Sequence, residues 1–544
     1  MIDSADAPAG NSIEDQAVTS LGYGRLLILC LMALATLALF SQLLIDFNAI
    51  NVGAASIAYA SSMAVLLYLL WTPALKTHPL STFIVFGFCF TTQLGALLGQ
   101  SAYATSLTDN LRQPLETFAT LAGFQALALL AHVFYRWVLN PAGASARSLP
   151  RLLLDKLGVY DTPSTGVLWF MGYVGLVAFI LGAGREGAFG KIMQGLSFMA
   201  WAPFLIPIYM AQLGDAYARV GRQLPFLLLF STLVVLLGLA ANARIVMLSG
   251  FITIVLFSLL SVLRSEQPVK ARRVWQVGGV ALVLGALAIP MSDLATAMVV
   301  ARKVRGNVSA PEMVQETLRH FRSPETLAEQ RETQAIATSR RYDEHYFDNP
   351  LLARLVETKF QDNALYFAST LSSGDVRQLA QVSVDQVWAI LPDPVLSALG
   401  VGVNKRDLNF SMGDYLSHLS QGGPLGSRRT GSMLAQGLAM FGAGFIALHL
   451  LMCLIAFALI DLQAKRDRQG AVVLSAVGML AIWKLFQYGV AAESLHAWVG
   501  LLLRGLPQNI VLFLLVALVA RALGSLFGPG RSREASAPLQ NAVG

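Results

Sequence analysis

Charge is what this chain has least of. Only 13% of its 544 residues are Asp, Glu, Lys or Arg, where an ordinary soluble domain carries about 25%. A chain so poor in charge cannot clothe a water-facing surface of its own size, which excludes a soluble globular protein. Cysteine is scarce as well. Cys30, Cys89 and Cys453 are the only three, and each falls inside an apolar run. Three scattered thiols make neither a disulfide framework nor a metal site, and they read as packing residues. GxxxxGK[ST], HExxH and CxxC are all missing, which argues against a nucleotide-driven pump and an evident metal centre; neither a metal nor a cofactor is expected. No repeat relates the first six apolar runs to the last six, which weakens a transporter reading.

What the chain does have is long uncharged apolar runs, and a run of about 18 or more such residues reads as a membrane-spanning helix. Twelve are expected, at 26–46, 53–72, 82–100, 118–139, 164–184, 192–213, 225–241, 244–263, 274–291, 432–460, 470–490 and 508–527. The implied fold is an all-α polytopic membrane protein. Its parts are a tail over 1–25, helices one to nine over 26–291, a large loop over 292–431, helices ten to twelve over 432–527, and a disordered tail over 528–544. The opening stretch is acidic, with Asp3, Asp6, Glu14 and Asp15. A cleaved signal peptide wants a basic start, so none is expected.

Orientation follows from where cations collect, because cytoplasmic loops are enriched in Lys and Arg. Placing the N-terminus in the cytoplasm puts Lys76, Arg136, Arg147, Arg151, Lys156, Arg219, Arg222, Arg264, Lys270, Lys465, Arg466 and Arg468 on that side. Both termini are then cytoplasmic. The net charge of +7 reads as this bias rather than as a nucleic-acid footprint. The 292–431 connection falls on the outer face, and a loop of that length is usually functional. Val314, Leu318 and Phe321 repeat at helical spacing, as do Leu351, Leu352, Leu355, Val356 and Leu365. With turns at Pro392, Pro394 and 422–426, the loop reads as a small helical cap.

Cations on the outer side are not required by the positive-inside rule, and there are several. Arg244, in GLAANARIVML, must begin the eighth span because the preceding connection is so short. The end of the fifth span supplies Arg185, Glu186 and Lys191, and the loop's end supplies Lys405, Arg406, Arg428 and Arg429. Lys484 lies about two turns inside the eleventh span, and Glu493, His496 and Arg504 follow. Membrane-edge charges cost roughly 2–3 kcal/mol each on insertion scales, so a group of them marks a site. Arginine's planar fork suits phosphate oxygens. The expected ligand is an anionic lipid head group. Within the spans, His132 and His449 read as packing residues.

The topology, the ANAR hairpin, the large late loop and the motifs at its end resemble the Wzy-type polysaccharide repeat-unit polymerases. The local likeness lies in ILPDPVLSALGVGVNKRDLNFSMGDYLSHLS and in SRRTGSMLAQGLAMFGAGFIALHLL, with Thr430, Gly431, Phe441, Gly442 and Gly444. O-antigen ligases share the architecture. The resemblance implies a bacterial inner-membrane enzyme whose large loop faces the periplasm. Its donor and acceptor would be oligosaccharides on undecaprenyl pyrophosphate, and a chain-length regulator and a flippase are the implied partners. Arg244 and Arg185, with Lys405, Arg406, Arg428, Arg429 and Lys484, would hold the pyrophosphate leaving group. His418 is the first choice of base, with Glu186 and Asp414 as alternatives. Polymerase, ligase, lipid-linked oligosaccharide flippase and non-catalytic scaffold all remain open at this stage.

Overall fold

The computed structural model describes residues 22–182, 187–213, 220–267, 290–304, 308–329, 343–347, 349, 352–468 and 470–527. Hydrocarbon offers backbone amides no partner, so a chain this apolar satisfies them within helices. The result is an all-α multi-pass membrane protein. Ten helices among the described residues are long and apolar enough to cross a bilayer. The only sheet among them is the hairpin of Ala464–Arg466 and Val472–Leu474.

Ten helices against twelve expected spans has two causes. The ninth span, 274–291, lies almost wholly outside the described residues, as do the N-terminal tail apart from residues 22–25 and the whole of the 528–544 tail. The eleventh, 470–490, is not one helix: it begins in the hairpin and continues as Ala476–Leu480 and Ile482–Tyr488. The tenth is also divided, into Met433–Phe441 and Gly444–Asp461. Between these halves Gly442 adopts φ 53° and ψ −135°, a conformation open in practice to glycine alone. The FG-x-G signature is thus a helix break.

Burial separates a central helix from lipid-facing ones. In Pro79–Ala102, 89% of the most apolar stretch is buried, against 22% in Tyr23–Ile45. The central helix is therefore apolar all round, while the outer ones leave large side chains such as Leu37, Phe40 and Leu44 exposed to the bilayer. Phe83 and Phe86 pack against Phe486, with ring centroids 4.8 and 6.1 Å apart. Gly87 meets the Phe486 carbonyl so closely that no Cβ fits between them.

One reading from sequence changes here. His132 is buried but does more than pack. Its Nε2 lies 2.9 Å from Ser81 Oγ, which donates to Asp461 Oδ2 at 2.7 Å. Its Nδ1 lies 2.8 Å from Tyr68 OH, which accepts from Arg136 at 2.6 Å. The acid is reached through Ser81 and stands on another span, so helical spacing along one helix could not show it. His449 is buried against Phe124 and contacts Cys453 Sγ at 3.5 Å.

The large connection carries several helices, among them Ala310–Phe321, Thr358–Ser369, Ser373–Trp388, Asp393–Ala398 and Met412–Gln421. Ser309 and Glu312 close a capping box on the first of these. The leucine-rich stretch expected as one amphipathic helix is instead a short turn, Leu352–Leu355, followed by Thr358–Ser369. Residues 356–365 are all buried, because this segment enters the bundle rather than lying upon it. The central helix receives it. At Phe90–Leu94 that helix widens to a π turn, and such a turn leaves carbonyls free of helical bonds. Glu357 N donates to Thr91 O at 2.7 Å, and Thr358 Oγ1 donates to Thr92 O at 2.9 Å. Buried Asp362 then accepts from Arg112 N, Gln113 N and Thr117 Oγ1 at 2.8, 3.0 and 3.1 Å. It thereby satisfies the amino end of the Pro114–Phe134 helix from outside that helix.

Candidate functional site

The ANAR hairpin is built by a left-handed asparagine. Val220–Ala240 ends, Asn242 takes φ 47°, and Arg244–Leu263 begins two residues later. Asn242 is buried, and its amide donates to Met298 O at 3.0 Å. That bond ties the hairpin to the Pro290–Ala301 helix, whose continuation carries Arg302. A Cβ on Gly238 would come within 3.0 Å of Met247 Cβ and 3.1 Å of its N, so glycine there lets the two spans stay close at this corner.

Arg244 thus stands on the first residue of a 20-residue helix with no acidic group in its first turn. This is the positive end of the helix dipole, an unfavourable place for a cation and a favourable one for an anion. Arg244 makes no hydrogen bond or ion pair among the described residues. It lines a cavity of about 150 Å³ together with Arg302, Glu344, His345 and Arg354. Arg354 and Arg302 act on it as like charges and Glu344 as the opposite one. Glu344 is already engaged, accepting from Arg354 Nη2 at 3.1 Å. Asp343, also on the wall, is held by Asn110 Nδ2 at 2.5 Å and by His345 N at 2.9 Å. Arg354 is oriented from three sides, by Glu344, by Thr430 Oγ1 at 3.0 Å, and by the Phe360 ring 4.9 Å below its guanidinium.

Behind Arg354 lies Glu357, a carboxyl group that is 4% exposed. Burial and the nearby Glu493 carboxylate push its pKa up to about 8, against the opposing effect of the Gln487 amide. Gln487 donates to Glu357 Oε1 and also to Arg354 O at 3.2 Å.

The residues singled out from sequence fall into several places. Arg244 lines the arginine cavity. Arg185 and Glu186 lie outside the described residues. Lys484 lines a second cavity, beside Glu493. Lys405 pairs with Asp393 at 2.6 Å and donates to Leu391 O at 2.5 Å, within the cap. Arg406 is exposed beside it. Arg428 and Arg429 sit on a loop that buried Asp414 anchors by accepting from their backbone amides at 2.8 and 3.1 Å. The Arg429 guanidinium turns to Ser417 Oγ at 2.5 Å, and Arg428 is exposed. His418 is exposed at the end of Met412–Gln421, its Nδ1 2.9 Å from Gly423 O. None of Lys405, Arg406, His418, Arg428 and Arg429 lines either cavity. Arg504 reaches the cap, donating to Ile390 O at 2.9 Å.

Sequence reasoning passed over Arg302, Arg354, Glu344 and Glu357. The available signal was the stretch LLARLVETKF, where Arg354 and Glu357 stand three apart among leucines and a valine. In that stretch the two charges carry more information than the apolar spacing. No protein-family model matches the chain, and no curated protein or solved structure shows significant similarity to it.

Proposed function

We propose that this protein is an inner-membrane glycosyltransferase of bacteria. In this reading it extends a polysaccharide from oligosaccharide units carried on undecaprenyl pyrophosphate, with the 292–431 cap on the periplasmic side. The observation that carries the reading is Arg244: a cation without a protein partner at the head of a membrane helix, facing two further arginines across a cavity of phosphate scale. Arg244 stands desolvated beside two like charges, Arg302 and Arg354, with only Glu344 opposing them, an arrangement that costs free energy unless an anion joins it. An anionic substrate group relieves that cost.

The acceptor's hydroxyl oxygen attacks the anomeric carbon of the donor sugar. A new carbon–oxygen bond forms while the bond from that carbon to pyrophosphate breaks. The electron pair leaves with the polyprenyl pyrophosphate, where Arg244, Arg302 and Arg354 stabilise the growing negative charge. Glu344 lines the same cavity and takes the hydroxyl proton. Losing one such contact from a water-poor site costs about 3–4 kcal/mol, or roughly 10²–10³ in rate.

The test is a strain lacking the gene, complemented with wild type, Arg244→Ala or Arg244→Lys after membrane expression is verified. Lipid-linked glycans and exported polymer are then separated by size. Single repeats accumulating on lipid, with polymer lost in Arg244→Ala and reduced in Arg244→Lys, are expected. Long polymer stranded on its carrier would assign the protein to ligation instead. Wild-type polymer from Arg244→Ala would sink the reading.

A further inference from the structure

The divided eleventh span leaves a second and larger cavity, of about 540 Å³. Its walls come from the spans Phe189–Leu213, Arg244–Leu263 and Leu495–Ser525, and from the short helices around Ile482–Tyr488. Ser249 and Thr253 line it. They lie five and nine residues along the helix from Arg244, which at 1.5 Å per residue is roughly 8–14 Å deeper. Irregular backbone at membrane depth persists where it borders a cavity rather than lipid, and such cavities hold ligands.

Lys484 marks what this one would hold. The residues on either side of it, Trp483 and Leu485 to Gln487, are buried, yet Lys484 is exposed, and it lines the cavity. Its ammonium has no hydrogen bond or ion pair among the described residues, although Glu493 acts on it electrostatically. Glu493 is occupied, accepting from Tyr488 OH at 3.1 Å. Trp201, Trp483 and Tyr488 add aromatic faces to the lining. The short helix carrying Lys484 also carries Gln487, which binds the Arg354 backbone. A single turn of helix therefore separates this cavity from the arginine cavity.

We propose that the Lys484 cavity is a second anion site, which takes the phosphate head of a membrane lipid beside the arginine site. The inference does not depend on glycosyl transfer, because the cavity and its unpartnered ammonium stand whatever chemistry occurs next door. Walls built from membrane spans select a lipid-borne phosphate over a free one, and a lysine there without a hydrogen bond or ion pair of its own draws a counter-charge beyond the through-space effect of Glu493.

Purified full-length protein in phosphatidylcholine nanodiscs, titrated with decaprenyl monophosphate and read by native mass spectrometry, tests this. Wild type is expected to hold two molecules. Lys484→Gln should hold one, with binding of the other weakened about tenfold or more, the scale of a lost charge-assisted hydrogen bond. Lys484→Arg keeps the charge and should hold two. Thr253→Trp places an indole in the cavity without altering charge and should hold one. Two molecules retained in both Lys484→Gln and Thr253→Trp would overturn the proposal. Inorganic phosphate bound as tightly, with the same dependence on Lys484, would overturn the lipid assignment. Arg244→Ala separates the two sites: if it removes neither molecule, the arginine-site reading fails while the Lys484 site stands.

Discussion

Glu357 is buried away from solvent with a second carboxylate nearby, so its proton is held up to about pH 8. The sign follows directly. An acid whose pKa rises on folding favours the folded state below its ordinary value of 4.5, and that contribution is lost as pH climbs through 8. Thermal unfolding in detergent should therefore show wild type losing stability between about pH 5 and 9 more steeply than Glu357→Gln, which stays neutral throughout. Parallel curves for the two proteins would remove Glu357 from the account. The same residue shows why single positions are hard to read from sequence. A glutamate beside leucines looks like one more surface charge until the Gln487 amide and the Thr91 carbonyl are brought to it from other segments.

At the scale of elements, the cap and the bundle are joined by one carboxylate. Asp362 satisfies three donors at the start of the Pro114–Phe134 helix and lies 3.8 Å from Lys359, itself buried and bonded to Asn110 O. Removing the carboxylate takes the counter-charge from a buried ammonium and the acceptor from three donors, one of them fully buried. Asp362→Ala should cost about 3–5 kcal/mol, the penalty for breaking a buried pair. Asp362→Asn keeps two acceptor lone pairs and should cost less. Thermal shifts of the purified variants check the order Ala, then Asn, then wild type, and equal shifts for the two substitutions would place the energy elsewhere. Eight of the spans, from Tyr23–Ile45 to Val246–Leu263, match their expected positions to within several residues, the fourth ending in the π turn Tyr135–Leu139, because length and apolarity alone define them. The tenth and eleventh depart because glycine at 442, the strand Val472–Leu474 and the break at Ala481 interrupt the helix without interrupting the run of apolar residues.

Across the whole molecule, charge is distributed by end. The cluster of Arg147, Arg151, Lys465, Arg466 and Arg468 surrounds one cavity at the hairpin end, while Arg244, Arg302 and Arg354 gather at the cap end. If cytoplasmic cations set the orientation, the hairpin faces the cytoplasm and the cap faces away from it. A Cys30→Ser protein carrying Gln421→Cys should then react with an impermeant maleimide in intact spheroplasts. Arg468→Cys should react only after the membrane is opened. The reverse pattern would invert the topology and move the arginine site to the cytoplasmic side.

The sequence by itself determined that this is an all-α membrane protein, since apolar runs of bilayer length leave the backbone no other way to pair its amides. It also exposed Arg244, because a lone charge between two apolar runs needs no third dimension to be noticed. Which groups surround that charge was decided only by tertiary structure. Arg302 comes with a helix tethered through Asn242, Arg354 with a segment docked on the widened turn at Phe90–Leu94, and Lys484 opens into a cavity that exists because a span is broken. Each of these depends on where one backbone segment finds free carbonyls on another, and that is a property of the assembled bundle rather than of any local run of residues.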